Sequence, residues 1–124
     1  MHSRMTGDHG EEVAEQYLIG RGYTIVSRNF TIRGGEIDRV VRTGDTLVFV
    51  EVKTRTGEAF GRGEESLTRA KKQALRRAIR HYLTHENSRS PHSTSSYRVD
   101  LIDILLSRDH RRTEKITHFI DIPL

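Results

Sequence analysis

The hydrophobic and polar positions along the chain follow two periods, one typical of helices and one typical of strands. Helical spacing predicts a first helix that begins at Asp8, with Glu11 completing a capping pattern, and ends at Gly20. A second helix is predicted from Ser66 to about His85. Apolar runs bounded by turn residues predict five strands: YTIVSRNF, EIDRVVR, LVFVEVK, YRVDLIDILL and KITHFIDI. The order αβββαββ predicts an α/β fold, with a mixed central sheet of about five strands flanked by helices.

A tight turn between the second and third strands fixes how these strands pair. The segment RTGDTL at 42–47 places Gly44 and Asp45 at the centre of a two-residue hairpin loop. That loop pairs Val40 with Phe49 and Asp38 with Glu51. Opposed residues face the same side of a sheet, so the two carboxylates are expected to lie together.

The remaining organisation is that of one domain. The chain has 124 residues, which fits a single domain over 1–124. Residues 1–7 are expected to be disordered, 54–65 form a polar, glycine-rich loop, and 87–96 have the composition of a mobile loop.

Composition narrows the chemistry. The chain contains no cysteine, which excludes disulfides and thiolate metal sites. No apolar run matches a signal peptide or a membrane span, so we expect a cytoplasmic protein with no membrane partner. The 21 Lys and Arg against 17 Asp and Glu give a net charge of +4, which favours a polyanionic partner.

The carboxylates of Asp38 and Glu51 predict a metal site. Their Cβ atoms should lie about 5 Å apart, where like charges destabilise a sheet unless something offsets them. A divalent cation would do so, and oxygen ligands favour Mg²⁺ or Mn²⁺. Lys53, expected on the same face, could stabilise developing charge on a phosphate. The alternative is an exposed sheet end where these residues form salt bridges. Glu36 would be a charge partner for Lys53 in that case, and would support the metal site in the other.

Several segments carry a family resemblance. GEID at 35–38, followed after twelve residues by EVK at 51–53, resembles the PD-(D/E)XK nuclease signature. The chain resembles the YraN family of bacterial proteins over nearly its whole length, through GEEVAEQYL at 10–18, RGY at 21–23, RN at 28 and 29, GEID, LVFVEVKTR at 47–55, FG at 60 and 61, Lys71 and RVD at 98–100. Family members are regarded as endonucleases by inference from fold and motif, with a core similar to that of archaeal Holliday junction resolvases and restriction endonucleases.

The resemblance implies a restriction-endonuclease-like core and a set of site residues. Asp38, Glu51 and the backbone carbonyl of Val52 would bind the metal, and Lys53 would be the catalytic lysine. Glu11 on the first helix matches a glutamate that often joins the catalytic and metal site; its alternative role is helix capping. Ile37 stands where the signature's name expects proline.

Basic residues give candidate nucleic-acid contacts. Lys71 falls near the middle of the apolar face of the second helix, which favours a phosphate contact beside the metal or snorkelling to solvent. Arg69, Lys72 and Arg76 on the same helix would contact a nucleic-acid backbone or form a solvated face. Arg55 would bind a phosphate or be an ordinary loop arginine.

These observations predict an endonuclease, dependent on Mg²⁺ or Mn²⁺, that hydrolyses phosphodiester bonds in DNA, with branched or structured DNA as the expected substrate. A homodimer would be needed to present two sites to two strands of a branch. The residues do not distinguish DNA from RNA. The alternatives are a nucleic-acid binding module that uses the fold without turnover and a scaffold with an incidental cation site.

Overall fold

The computed structural model describes residues 3–57, 67–87 and 96–124, with side chains from residue 7 onward. In chain order the elements are α1 (Ser3–Gly20), β1 (Thr24–Ile32), β2 (Gly35–Thr43), β3 (Thr46–Thr56), α2 (Arg69–His81), which continues as a π-helical turn (Tyr82–Glu86), β4 (Tyr97–Leu106) and β5 (Thr113–Phe119). The predicted order of one helix, three strands, one helix and two strands is confirmed.

The five strands form one mixed sheet in the order β1-β2-β3-β4-β5. Strands β3 and β4 are parallel and are joined through α2, whereas the other neighbours are antiparallel. This confirms the predicted α/β class and mixed sheet, and the arrangement is consistent with a restriction-endonuclease-like core.

The predicted hairpin register is also confirmed. Thr43 pairs with Thr46 and Val40 with Phe49 across the turn, where Gly44 has a φ of 57°. A positive φ at this position is what a two-residue hairpin loop requires. The backbone pairing ends with Arg39 opposite Val50.

One helix covers each face of the sheet. Val40 and Phe49 pack with Leu75 on the α2 side, whereas Val41 and Val48 belong to the cluster on the α1 side. Neighbouring strand residues therefore contribute to opposite cores, as the period of a strand requires.

This alternation breaks at Asp38. Ile37 packs on the α2 side, yet the Arg39 side chain, two residues later, reaches Glu15 of α1. The facing strand breaks at the same level, where Asn29 has a φ of 51°. The regular alternation of side chains is therefore interrupted in both strands at the level of Asp38. This interruption places the Asp38 carboxylate at the boundary between the two cores.

Some predicted boundaries differ from the structure. Helix α1 begins at Ser3, so the predicted start at Asp8 is wrong; Gly7 weakens a helix without ending it. Residues 3–7, which the sequence predicts to be disordered, belong to this helix, and residues 1 and 2 lie outside the described residues. Residues 54–56, which the sequence predicts to lie in a loop, extend β3. Most of the predicted loops, at 58–65 and 88–95, lie outside the described residues. Within the described ranges, no helix has both the length and the apolarity to cross a membrane.

Gly35 lets α2 lie directly on the backbone of β2. A Cβ at this position would lie 2.5 Å from the Ala74 carbonyl oxygen and 3.1 Å from the Ala78 nitrogen. Both are main-chain atoms in the middle of a helix, so neither can move without the helix moving.

Gly35→Ala is therefore expected to lower the free energy of unfolding by about 1–3 kcal/mol, since the added methyl group pushes α2 off the sheet. Urea unfolding curves measure this change. Gly20→Ala is the matched control, because nothing lies within 4 Å of a Cβ there; we expect no loss, or a gain of up to about 1 kcal/mol. Equal stability of the two variants would contradict the close contact.

Candidate active site

A cleft of about 320 Å³ opens where β2, β3 and both helices meet. Its lining residues come from four elements: Glu11 from α1, Glu36 and Asp38 from β2, Glu51 and Val52 from β3, and Lys71 and Ala74 from α2. Four carboxyl groups and one ammonium group therefore converge on one small volume.

Asp38 and Glu51 form the buried floor of the cleft. Asp38 is 9% exposed, and its Oδ2 accepts a hydrogen bond from the Val52 N–H at 2.8 Å. The Glu51 carboxyl group, whose side chain is 15% exposed, donates a second hydrogen bond to Asp38. The structure thus brings together the two carboxyl groups that the hairpin register predicts to meet.

The electrostatics of this pair reflect its burial. Burial raises the pKa of Asp38, although the Val52 N–H acts in the opposite direction. Burial and then the negative charge of Asp38 raise the pKa of Glu51 to about 8. Two negative charges at this position are therefore unfavourable without a compensating cation, and the pair retains a proton near neutral pH.

The Val52 backbone faces the same place. In an extended strand, the N–H and C=O groups of one residue point to the same side. Because the Val52 N–H donates to Asp38, the carbonyl oxygen of Val52 also points toward β2. A third oxygen donor is thus directed to the carboxyl pair.

Lys71 supplies the ammonium group of the cleft. Its Nζ lies 3.9 Å from Glu51 Oε2, and its side chain is 55% exposed. It belongs to the first turn of α2, where Thr68 Oγ1 accepts a hydrogen bond from the Lys71 backbone N–H. The first turn overhangs a polar cleft, which explains a lysine on the apolar side of the helix.

Lys53 is placed differently from its predicted role. It is half-buried and lies two residues beyond Glu51 on β3, opposite Asp103 of β4. It is not among the described residues that line the cleft. The ammonium group beside the carboxyl pair is therefore that of Lys71, and the catalytic role of Lys53 stays a prediction.

Arg39 holds the Glu11 carboxylate in place through a hydrogen bond. The Arg39 Nη1 donates to Glu11 Oε1 at 2.9 Å and to the Asp38 carbonyl at 2.8 Å, while its Nε donates to Glu15 Oε1 at 2.8 Å. Glu11 lies well inside α1, so it does not cap the helix. Burial raises the pKa of Glu11, and the Asp38 charge adds to this effect while Arg39 opposes it.

Arg39 and Glu15 are site residues that the sequence patterns do not predict. The available signal was the charge of Arg39 inside the run DRVV, because a buried strand tolerates arginine only when it is paired. Glu36, in contrast, is exposed and lines the cleft, where its charge raises the pKa of Glu51 further.

Of the five predicted nucleic-acid contacts, Lys71 lines the cleft. Arg55 forms a two-pronged ion pair with Asp103 at 2.7 and 3.1 Å, and its side chain is 19% exposed. Arg69 is exposed and Lys72 is half-buried on α2. Arg76 donates to the Leu124 carbonyl oxygen at 2.7 Å and lines a different cavity.

The structure brings only some of the predicted metal ligands close together. Across residues 3–57, 67–87 and 96–124, no three His, Asp or Glu side chains are arranged to hold a metal ion together. The oxygen donors directed at one point are the two carboxyl groups and the Val52 carbonyl. Such a set suits an ion that keeps several water ligands.

Comparisons with known proteins identify the family. The model of the uncharacterised protein family UPF0102 matches residues 10–104, a range that contains every residue lining the cleft. A UPF0102 protein of Pelotomaculum thermopropionicum is 42% identical over 116 residues, covering 94% of this chain and 92% of the relative. Relatives from Clavibacter michiganensis subsp. michiganensis and Geobacter sulfurreducens are 45% and 38% identical, covering 82% and 98% of this chain and 83% and 92% of their own lengths. The chain belongs to the UPF0102 family, which confirms the YraN resemblance seen in its sequence.

Proposed function

We propose that this protein is an endonuclease that uses Mg²⁺ or Mn²⁺ to hydrolyse phosphodiester bonds in DNA. One observation carries the proposal: two buried carboxyl groups, Asp38 and Glu51, are hydrogen-bonded to each other in an open cleft. A merely structural site would gain by replacing such a pair with apolar residues, because burying charge is costly.

The donor atoms of the cleft fit a hard divalent cation. Asp38, Glu51 and the Val52 carbonyl offer oxygen ligands, and the open cleft leaves room for water. Burial raises the pKa of both carboxyl groups, and the charge of Asp38 raises that of Glu51 further. A bound cation would favour the charged form of each. When bound, it would supply positive charge to polarise a phosphate and to activate water for attack.

The surrounding residues then act on the substrate. Lys71 binds a phosphate oxygen at the mouth of the cleft, where the positive end of the α2 dipole also favours an anion. Lys53, on the adjacent part of β3, stabilises the charge that develops on the phosphate, as the family motif implies. Arg39 fixes the position of Glu11 and so sets its distance from Asp38.

The position of Lys53 also favours a second candidate function. The family motif assigns the catalytic ammonium group to Lys53, and Lys53 is not among the described residues of the cleft. A protein that binds nucleic acid through this fold without turnover would not need that group in the cleft. Measurements of cleavage and binding on the same variants separate the two functions.

Cleavage should require the carboxyl pair. With Mg²⁺ or Mn²⁺, labelled duplex, flap, fork and four-way junction DNAs are expected to be cut, and EDTA should abolish the products. Asp38→Asn and Glu51→Gln should each lower the rate by about 100-fold or more, because each removes a negatively charged oxygen ligand. Glu12→Gln, next to Glu11 but exposed and outside the cleft, is the control and should cleave normally. Tight binding without any cleavage would favour the binding module.

The two lysines can be distinguished by comparing Lys53→Met with Lys71→Met. We expect Lys53→Met to lower kcat by about 100-fold, as for loss of a group that acts in the transition state. Lys71→Met should mainly raise KM and the DNA dissociation constant. If Lys53→Met retains kcat while Lys71→Met loses it, the catalytic role belongs to Lys71.

The stability of the metal-free protein should depend on pH through Glu51. Its pKa is raised from 4.5 to about 8 in the folded state, so folding retains a proton that the unfolded chain releases. The Glu51 contribution to stability is therefore lost as pH rises from about 4.5 to about 8. In EDTA, the unfolding free energy of Glu51→Gln should exceed that of the native protein by more at pH 8 than at pH 5, by at least about 1 kcal/mol. Urea unfolding at several pH values measures this difference, and Glu12→Gln should follow the native protein. A constant difference across this range would show that Glu51 ionises normally.

A further inference from the structure

The turn between β4 and β5 forms a basic surface that is separate from the cleft. Residues 107–115, SRDHRRTEK, carry four basic side chains, those of Arg108, Arg111, Arg112 and Lys115, against two acidic ones. All four basic residues are exposed. A concentration of positive charge at a projecting turn is suited to a polyanion.

Hydrogen bonds within the turn hold its backbone in one conformation. Asp109 Oδ1 accepts from Ser107 Oγ at 2.7 Å and from the Arg111 N–H at 3.0 Å. Ser107 Oγ accepts from the Arg112 N–H at 3.1 Å, and the Ser107 N–H donates to the Arg112 carbonyl at 2.8 Å. The carboxylate of Asp109 is thus used inside the turn, and the arginines extend from a fixed base.

The ion pairs of these arginines can be exchanged for contacts with a partner. Arg111 is 85% exposed and its Nε lies 4.0 Å from Asp109, while Arg112 is 76% exposed and lies 3.1 Å from Glu114. Surface pairs of this kind contribute little to stability. Guanidinium groups that gain little from their present partners are available to phosphates, which they bind in two-pronged geometry.

The sheet fixes the distance from this turn to the cleft. In the parallel pairing of β3 and β4, Glu51 is opposite Leu101 and Thr56 is opposite Leu106. The turn follows Leu106, so it lies about five residues, or about 17 Å, beyond the level of the carboxyl pair. The end of β3 is packed against it, since a Cβ at Gly57 would lie 3.1 Å from Arg108 Cγ.

The strip of sheet between the two sites is also basic. Strand alternation places Lys53 and Arg55 on the same side as Glu51 along β3. Arg55 is paired with Asp103, and Lys53 lies between the cleft and the turn. Lys53 therefore adds positive charge on this face between the cleft and the turn.

We propose that the β4–β5 turn binds the phosphate backbone of a DNA duplex about five base pairs from the scissile phosphate. At about 3.4 Å per base pair, five steps span the distance between the two sites. The turn carries no Phe, Tyr or Trp on which single-stranded bases could stack, which favours a duplex arm over a single strand. The identity of the ligand as DNA rests on the proposed function, and the substrate class that follows is DNA with a double-stranded arm on this side of the cut.

Binding in EDTA tests this inference separately from cleavage. We expect Arg111→Gln combined with Arg112→Gln to raise the dissociation constant of a 16-base-pair duplex about 10-fold near 0.1 M salt. The slope of log Kd against log salt should fall by about 2, one for each lost phosphate contact. The control pair, Arg21→Gln with Arg42→Gln, removes the same charge at the opposite end of the sheet and should change the slope by less. Unfolding curves check that the turn variant remains folded, since its hydrogen bonds use the Arg112 backbone.

The length of the duplex supplies the sharper comparison. With fork DNAs whose duplex arm is only about four base pairs, the native protein and the turn variant should bind equally, because the arm does not reach the turn. Asp109→Asn keeps the hydrogen-bond acceptor and removes a negative charge, so it should tighten binding to the long duplex about twofold.

Each result bears on one proposal or both. An unchanged salt slope in the turn variant, or an equal loss in the control pair, overturns the role of the turn while leaving the nuclease proposal intact. Duplex binding that depends on the turn but is never followed by metal-dependent cleavage supports the turn and overturns the nuclease. A native protein that binds no duplex overturns both.

Discussion

The buried guanidinium of Arg39 is the interaction on which the arrangement of the cleft depends. It contacts Glu11 and Glu15 of α1 and the carbonyl of the adjacent Asp38, so one side chain ties a helix to a strand at the level of the site. A buried arginine is costly to place unless it is paired, and Arg39 is paired with two glutamates of α1. The planar guanidinium satisfies several acceptors at fixed angles, which lysine could not do. The network therefore gives geometric definition to the cleft rather than a large gain in stability.

The break in the alternation of β1 and β2 allows Asp38 and Arg39 to have separate roles. In a regular strand, Asp38 and Arg39 would simply face opposite sides, and Ile37 would share the side of Arg39. Because the alternation breaks at Asp38, Ile37 stays in the α2 core while Arg39 reaches α1. A carboxyl group for chemistry and a guanidinium for support thus occupy consecutive positions without either disrupting a core.

Local patterns in the sequence predict much of this fold and part of the site. A two-residue turn sets the β2–β3 register, so the meeting of Asp38 and Glu51 follows from counting residues. The placements of Lys71 and Arg39 depend on how helices dock onto the sheet, and this is set by long-range packing such as the contact of Gly35 with Ala74. Strand alternation places Lys53 on the same face as Glu51 but does not say how far its side chain reaches. The positive φ of Asn29 has no strong local signal either, and for that reason the break in the strands could not be predicted.

The carboxyl pair and Lys71 differ in the length of the loop that must close to bring them into the cleft. Only twelve residues separate Asp38 from Glu51, and a hairpin turn joins them, whereas Lys71 arrives through the crossover that precedes β4. Short loops cost less entropy to close, and local contacts generally form before distant ones. We therefore expect the two carboxyl groups to meet during folding before their ammonium neighbour is in place. In that interval, a shared proton or a bound cation would offset the repulsion between the two carboxylates.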